Sequence, residues 1–155
     1  LLTAAQIQRG TLRLDMQPVD PRALVDRVLA DRYDAELVVE DERWVRGDPL
    51  RLEQALTNLL SNAHKYGRPP VTVRIHRAGA DDRVAIEVSD AGDGVPPEFR
   101  PELFREFTRG RSAVATGTGL GLYVVRTLAE AQGGTVSYAP GHPGGAVFTL
   151  SLVPA

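Results

Sequence analysis

The sequence contains no cysteine, which excludes disulfide bridges and thiolate-ligated metal sites. It has no apolar run close to the roughly 18 residues that a membrane-spanning helix requires. Its formal net charge of −2 gives no reason to expect a nucleic-acid or membrane partner. Lysine is nearly absent as well, because Lys65 stands alone beside 17 Arg residues. The lack of cysteine fits a cytosolic protein, and the single lysine lies in one of the polar segments described below.

The 155 residues predict one domain, with hydrophobic residues at 43% and charged residues at 25%, both ordinary for a globular protein. Residues 1–10 are predicted to be the stub of a helix whose main body lies upstream, because LLTAAQIQR is followed by the helix-stopping Gly10. The domain itself is then expected to occupy residues 11–155.

Periodicity and cap residues predict three helices and several strands. Asp20-Pro21 and Asp48-Pro49 each combine an N-cap carboxylate with a proline suited to the first helical turn, and these helices are predicted to run to about Tyr33 and Tyr66. A third helix is predicted over residues 119–132. A short helix is expected to carry Leu103, Phe104 and Phe107, and strands are expected at residues 11–20, 36–41, 43–47, 71–78, 83–90, 134–140 and 145–153. This order predicts an α+β fold, a two-layer sandwich whose mixed, roughly five-stranded sheet is covered on one face by about three helices.

A polar stripe is predicted along the second helix, within NLLSNAHKYG. Asn58 and Asn62 lie four positions apart, so their amides share one helix face, which Lys65 and Tyr66 continue. Neutral amide oxygens suit an Mg²⁺ ion that already carries water and phosphate oxygens, and the Lys65 ammonium suits phosphate. An ordinary solvated helix face would show the same pattern.

Two glycine-rich segments occur where a ligand could approach the backbone. VSDAGDGVP follows a predicted strand, with Asp90 as a fixed hydrogen-bond acceptor and with Gly92 and Gly94 leaving room for a ring. GTGLGL, residues 117–122, opens a helix whose backbone N–H groups would bind an anion, although its spacing matches neither a P-loop nor the dinucleotide fingerprint. An ordinary turn and a closely packed helix start are the alternatives for these two segments.

The segment LFREFTRG lies between the two glycine-rich segments. Its apolar side chains suit the core, whereas Arg105 and Arg109 are either solvated or within reach of phosphate oxygens. Residues 108–118 are small, polar and aperiodic, which predicts a mobile loop.

In this order and spacing, the four segments resemble the ATP-binding domain of sensor histidine kinases, within the gyrase, Hsp90, histidine kinase and MutL superfamily. NLLSNAHKYG is similar to the N box, DAGDG to the first glycine box, LFREFTRG to the F box and GTGLGL to the second glycine box. The resemblance covers roughly residues 12–153. It implies a sandwich of the Bergerat type, Mg-ATP as the cofactor, and transfer of the γ-phosphate to a histidine.

The resemblance also implies a role for each matching residue. Asn62, helped by Asn58, would hold Mg²⁺, and with Lys65 these residues would form the catalytic set. Tyr66 would pack on adenine, Asp90 would accept the adenine amine, and residues 108–118 would be a lid over the triphosphate. The implied nucleotide-binding set is Asn58, Asn62, Lys65, Tyr66, Asp90, Gly92, Gly94, Val95, Arg109, Gly117, Thr118, Gly119, Leu120, Gly121 and Leu122.

The family's phosphoacceptor box does not surround any of the three histidines, His64, His76 and His142. The resemblance therefore implies an acceptor histidine on a dimerisation domain, either upstream in the parent chain or on a separate protein, and a cognate response regulator. The parent protein is expected to be a membrane-anchored homodimer with this portion in the cytoplasm. The fragment alone is expected to be a monomer.

The sequence argues against three other functions. An ATPase of the gyrase, Hsp90 or MutL type activates water with a Glu one helical turn before the Asn that binds Mg²⁺, where this sequence has Asn58, and an amide cannot act as a general base at neutral pH. The nearest acid earlier on that helix, Glu53, is nine residues before Asn62. The F box argues against an anti-sigma-factor serine kinase, and the four intact boxes argue against a binding module without catalysis.

Overall fold

The computed structural model describes residues 12–30, 32–79, 81–105 and 121–155. Eleven elements are assigned within these ranges, namely β1 (Gln17–Val19), α1 (Pro21–Leu29), β2 (Glu36–Val39), β3 (Val45–Gly47), α2 (Pro49–Tyr66), β4 (Thr72–Ala78), β5 (Arg83–Ser89), a 3₁₀ helix (Pro97–Glu102), α3 (Gly121–Ala131), β6 (Thr135–Pro140) and β7 (Ala146–Leu152). The predicted α+β sandwich is confirmed.

The main sheet has five strands in the order β2-β4-β5-β7-β6. β2 runs parallel to β4, while the other neighbouring pairs are antiparallel, so the sheet is mixed as predicted. β1 and β3 form a separate two-stranded antiparallel ribbon, with Val19 paired to Val45. β5 is the central strand, and the loop that follows it contains Asp90.

Helices α1 and α2 begin as their sequence signals predict. The Asp20 carboxylate accepts a hydrogen bond from the N–H of Arg22 at 3.1 Å. The Asp48 carboxylate accepts from the N–H groups of Leu50 at 3.0 Å and of Arg51 at 3.3 Å. Each helix has proline in its first turn, where no intrahelical donor is lost.

One face of the sheet and the inner faces of the helices form a single core. α2 contributes Leu52, Leu56, Leu59 and Leu60, all at most 1% exposed. Alternate residues of the strands meet them, including the cross-strand partners Ile75, Ile86 and Leu150. The opposite face of the sheet is polar, with Arg74 and His76 of β4 both close to the Glu87 carboxylate of β5. This division between an apolar and a polar face explains why the helices cover only one side.

Among the described residues, a predicted strand and a predicted helix are shorter than the sequence indicates. The strand predicted over residues 11–20 is confined to Gln17–Val19, because the N–H of Asp15 donates to the Asp48 carboxylate at 2.8 Å instead of to a neighbouring strand. α1 ends at Leu29 and not near Tyr33, whose ring packs against His64 with centroids 5.3 Å apart. A 3₁₀ helix over Pro97–Glu102 precedes Leu103, and the short helix predicted to carry Leu103, Phe104 and Phe107 lies partly outside the described ranges, which end at residue 105 here.

Within the described ranges, none of the helices combines the length and the apolar character needed to cross a bilayer.

Candidate functional site

The C-terminal end of α2 and the end of β5 meet at Asp90. Asp90 directly follows β5, and its Oδ1 accepts a hydrogen bond from the N–H of Gly92 at 2.8 Å. A methyl group built on Gly67, which ends α2, would overlap the Asp90 carboxylate, so glycine is needed there for the two elements to approach. The second carboxylate oxygen of Asp90 is thereby held in a fixed position as an acceptor.

A cleft opens beside this carboxylate, between α2, the loop after β5 and strand β7. Much of its wall is apolar, and its polar side chains include the Asn62 amide and the Asp90 carboxylate. Its lining residues are Asn62, Ala63, Tyr66, Gly67, Asp90, Gly94, Val95, Leu103, Leu122, Ala146 and Phe148. Apolar walls with one fixed acceptor suit a flat heteroaromatic ring that carries an amine.

Six of the predicted site residues are brought together in this cleft. They are Asn62, Tyr66, Asp90, Gly94, Val95 and Leu122. Tyr66 is 48% exposed, so it lies at the rim and not in the interior. Gly92 is buried behind the lining, where its N–H holds Asp90 in place.

The other predicted residues of α2 and α3 lie outside the cleft lining. The amide Nδ2 of Asn58 is 3.5 Å from the carbonyl oxygen of Gly121, which is the first described residue of α3. This contact connects the polar stripe of α2 to the start of α3, and it leaves the Asn58 amide oxygen available as a ligand. Lys65 is exposed near the end of α2, one turn beyond Asn62.

Asn58 lines a second, open groove along the N-terminal half of α2. That groove also contains Glu53, the nearest earlier acid on the helix, and its remaining lining is Arg32, Leu50, Arg51, Gln54 and Thr57. Glu53 forms an ion pair with Arg27 of α1 at 3.4 Å. The Glu53 carboxylate is therefore paired with Arg27 and does not line the cleft.

The amide side chains of Asn58 and Asn62 are the candidate ligands for a metal ion. Within the part of the chain that the structure describes, His, Cys, Asp and Glu side chains form no group of three or more that could hold a metal ion. The amide oxygens of Asn62 and Asn58 could bind an Mg²⁺ ion that is also bound to phosphate oxygens. Neutral amide ligands suit a cation whose charge is already balanced by phosphates.

Some predicted residues lie outside the described ranges. They are Arg109, Gly117, Thr118, Gly119 and Leu120, together with the remainder of the predicted lid at residues 108–118. The predicted helix stub at residues 1–10 also lies outside the ranges that the structure describes.

Five lining residues were not predicted from the sequence. They are Ala63, Gly67, Leu103, Ala146 and Phe148. Leu103 and Phe148 belong to patterns that indicate core packing, and these side chains both join the core and close the cleft. The sequence indicates that Gly67 lies near the cleft, because Gly67 directly follows the polar stripe. A glycine that only ends the helix would give the same pattern.

Comparison with known proteins shows the family to which the chain belongs. The sequence model for the family described as histidine kinase-, DNA gyrase B-, and HSP90-like ATPase matches residues 47–155. The chain belongs to this family.

Similar members of the family are histidine kinases. The signal transduction histidine-protein kinase AfsQ2 of Streptomyces coelicolor is 35% identical over 157 residues, which cover 98% of this chain and 29% of AfsQ2. The solved ATP-binding domain of PrrB from Mycobacterium tuberculosis has a TM-score of 0.72 at 32% identity, covering 91% of this chain and 98% of that one. Full-length ShkA, solved in complex with AMPPNP, has a TM-score of 0.77 at 28% identity, covering 97% of this chain and 34% of ShkA.

These matches confirm the resemblance to the ATP-binding catalytic domain of histidine kinases. The chain spans less than a third of the length of AfsQ2.

Proposed function

We propose that this chain binds Mg-ATP and donates the γ-phosphate to a histidine on a dimerisation domain, as part of a two-component sensor kinase. The observation that carries the proposal is the Asp90 carboxylate, held by the N–H of Gly92 and framed by Gly67 in an apolar cleft that also contains Asn62. Asp90 would accept the amine of adenine, and Tyr66 would pack on the ring from the rim.

The phosphate end of the nucleotide would follow the polar stripe of α2 from Asn62 towards Asn58. Lys65 would contribute positive charge there, and the N-terminal turn of α3, with Gly121 and Leu122, would contribute backbone N–H groups. Bound through the amide oxygens, Mg²⁺ would neutralise part of the phosphate charge. The rest of the implied set is proposed on the resemblance, namely Gly92, Gly94, Val95, Arg109, Gly117, Thr118, Gly119, Leu120 and the lid at residues 108–118.

Phosphoryl transfer requires little covalent chemistry from the protein, because positioning and charge neutralisation supply most of the catalysis. A histidine nitrogen of the acceptor would attack the γ-phosphorus while the bond to the β–γ bridging oxygen breaks, releasing ADP. Asn58, Asn62 and Lys65 would align the phosphates for that attack. The AMPPNP complex of the similar protein ShkA supports nucleotide binding in this fold.

Hydrolysis is disfavoured by the arrangement of the same residues. Water activation needs a base near the γ-phosphate, but Asn58 carries an amide, and Glu53 is paired with Arg27 at 3.4 Å. A protein acceptor that supplies its own nucleophile does not need this base from the ATP-binding domain.

The proposal extends to the rest of the protein. Residues 1–10 would be the end of a dimerisation helix, and residues 11–155 the ATP-binding domain. The acceptor histidine would lie on the same parent chain or on a separate protein, with a response regulator receiving the phosphoryl group. The parent would be a membrane-anchored homodimer with this domain in the cytoplasm, and the domain alone would be a monomer that binds no nucleic acid.

Transfer of labelled γ-phosphate tests the proposal. The domain is incubated with labelled Mg-ATP, alone and with a dimerisation domain from a similar kinase, because the parent's own is not in this chain. Label on the added domain, in a form that is acid-labile and base-stable, is the expected result. Free phosphate released by the domain alone, without labelled protein, would instead indicate an ATPase.

A further inference from the structure

The backbone of Val95 is held on both sides by side chains from outside its own loop. The N–H of Val95 donates to the hydroxyl oxygen of Tyr138 on β6 at 3.0 Å. The carbonyl oxygen of Val95 accepts from Nε of Arg100 in the 3₁₀ helix at 3.0 Å. Val95 lines the cleft, so these two bonds fix the backbone of a residue in the cleft wall.

Tyr138 is itself held in place by packing. Its ring lies 5.2 Å from the ring of Phe148, its cross-strand partner on β7, and Phe148 also lines the cleft. The guanidinium carbon of Arg100 lies 5.5 Å from the centroid of the Tyr138 ring, within cation–π range. Arg100, Tyr138 and Val95 therefore form a closed set in which each member contacts the other two.

The phenol also fits closely against the neighbouring glycine. Gly94 has φ +75°, a conformation that L residues rarely adopt, and a methyl group there would lie 3.2 Å from the Tyr138 hydroxyl and 2.8 Å from the Gly145 carbonyl oxygen. The Tyr138 hydroxyl thus lies immediately behind the Gly94–Val95 backbone. Little room is left for this part of the loop to move towards β6.

We propose that Tyr138 and Arg100 are positioning residues for the nucleotide base, because they hold the Gly94–Val95 wall of the cleft in its binding conformation. The inference rests on the proposed function, since it assumes that a base occupies the cleft. Neither side chain lines the cleft, so both act through Val95. A preformed wall lowers the entropy cost of ordering the loop when the base binds.

The first test is the variant Tyr138→Phe, which keeps the ring but removes the hydroxyl. Because Val95 then loses the acceptor for its N–H, we expect ATP and ADP to bind about fivefold to tenfold more weakly, the effect of losing one hydrogen bond. The two nucleotides should be affected equally, since they share the base and differ only in the phosphates. Isothermal titration of the domain with each nucleotide at constant Mg²⁺ measures the change.

A local readout separates positioning from a general loss of stability. Hydrogen exchange at the Val95 amide, measured by NMR without nucleotide, should accelerate in Tyr138→Phe while the amides of the α2 core keep their protection. Tyr33→Phe is the matched control, because it removes a phenol hydroxyl from a ring that packs against His64, away from the cleft lining. Its nucleotide affinities should equal those of the wild type.

Arg100→Gln provides an independent second variant. It removes the cation from the Tyr138 ring and the Nε donor from Val95, and it should also weaken ATP and ADP equally. Arg46→Gln is its control, because Arg46 is an exposed residue of β3. If the wild type binds ATP but Tyr138→Phe and Arg100→Gln both bind within twofold of it, the positioning role is wrong and the proposed function stands. If the wild type itself binds no adenine nucleotide, the proposed function fails, and the positioning role fails with it.

Discussion

The backbone N–H of Asp48 donates a 2.7 Å hydrogen bond to the side-chain oxygen of Gln132. Gln132 lies one residue after α3, is only 3% exposed, and donates in turn to the carbonyl oxygen of Leu128 at 2.8 Å. Asp48 caps α2, so one buried side chain connects the end of α3 to the start of α2. The two helices that would flank the phosphates are therefore joined twice, once here and once where Asn58 contacts Gly121 at the other end of α3.

Gln132→Ala is expected to destabilise the domain by about 1–3 kcal/mol, because the Asp48 N–H would be left buried without its acceptor. The site is closely packed, since a methyl group on Gly47 would lie 2.9 Å from the Gln132 oxygen. Urea unfolding followed by circular dichroism measures the change. Gln17→Ala, at an exposed position on β1, should change the free energy of unfolding by less than about 0.5 kcal/mol. Equal stability of the two variants would mean that the Gln132 bond contributes little.

Asp90→Asn is expected to weaken ATP binding by roughly tenfold and GTP binding by less, because the lost acceptor faces the adenine amine in the proposed complex. Isothermal titration with both nucleotides measures the two affinities. Asp93→Asn is the matched control, because Asp93 lies in the same loop but pairs with Arg68 on the surface. An unchanged preference between ATP and GTP in Asp90→Asn would count against the adenine role of this carboxylate.

Asn62→Ala is expected to remove most of the Mg²⁺ dependence of ATP binding, because Asn62 provides the amide oxygen nearest to the cleft. The measurement is the ratio of ATP affinities with and without Mg²⁺, which should fall towards unity in the variant. Ser61→Ala, at the preceding and partly buried position of α2, should leave that ratio unchanged. Persistence of the full dependence in Asn62→Ala would place the metal elsewhere.

The sequence predicted α2 almost completely, since both its cap and its apolar face are local signals. Asp48-Pro49 defines its start, and the spacing of its leucines defines its buried side. The segment before Gln17 also has a local signal, the alternation of apolar and polar residues, but it is not a strand. The N–H of Asp15 donates instead to the carboxylate of Asp48, which is 33 residues away. Local periodicity contains no information about such a contact.

The same distinction between local signals and long-range contacts applies to the candidate site. The presence of the polar residues Asn62 and Asp90 in the cleft could be predicted, because their motifs are contiguous in the chain. Phe148 and Tyr138 could not, because their place at the cleft follows from the pairing of β6 with β7 and from the position of β7 beside β5. A side chain that supports the wall of a site through packing has the same sequence pattern as any core residue.

The ion pair of Arg43 with Asp41 leads to a prediction about pH. Two nitrogens of Arg43 contact the Asp41 carboxylate, the shorter distance being 2.7 Å, and Nη1 of Arg43 also contacts the Asp82 carboxylate in the β4–β5 turn. Hydrogen bonds from the Arg43 side chain hold the pKa of the Asp41 carboxyl below its usual value, although partial burial opposes the shift. The two residues thus connect the segment before β3 to the β4–β5 turn.

A folded-state pKa below the unfolded value means that this pair stabilises the fold above the unfolded pKa, near 3.9 for Asp, and that the contribution is lost as the pH falls through the folded pKa. Arg43→Gln should therefore lower Tm at pH 7, and the difference from the wild type should shrink below about pH 4. Thermal unfolding across this range measures it. Arg22→Gln, whose pair with Glu42 is largely exposed, should change Tm little at any pH. A difference between Arg43→Gln and wild type that stays constant down to acid pH would show that Arg43 acts through packing and not through the charge of Asp41.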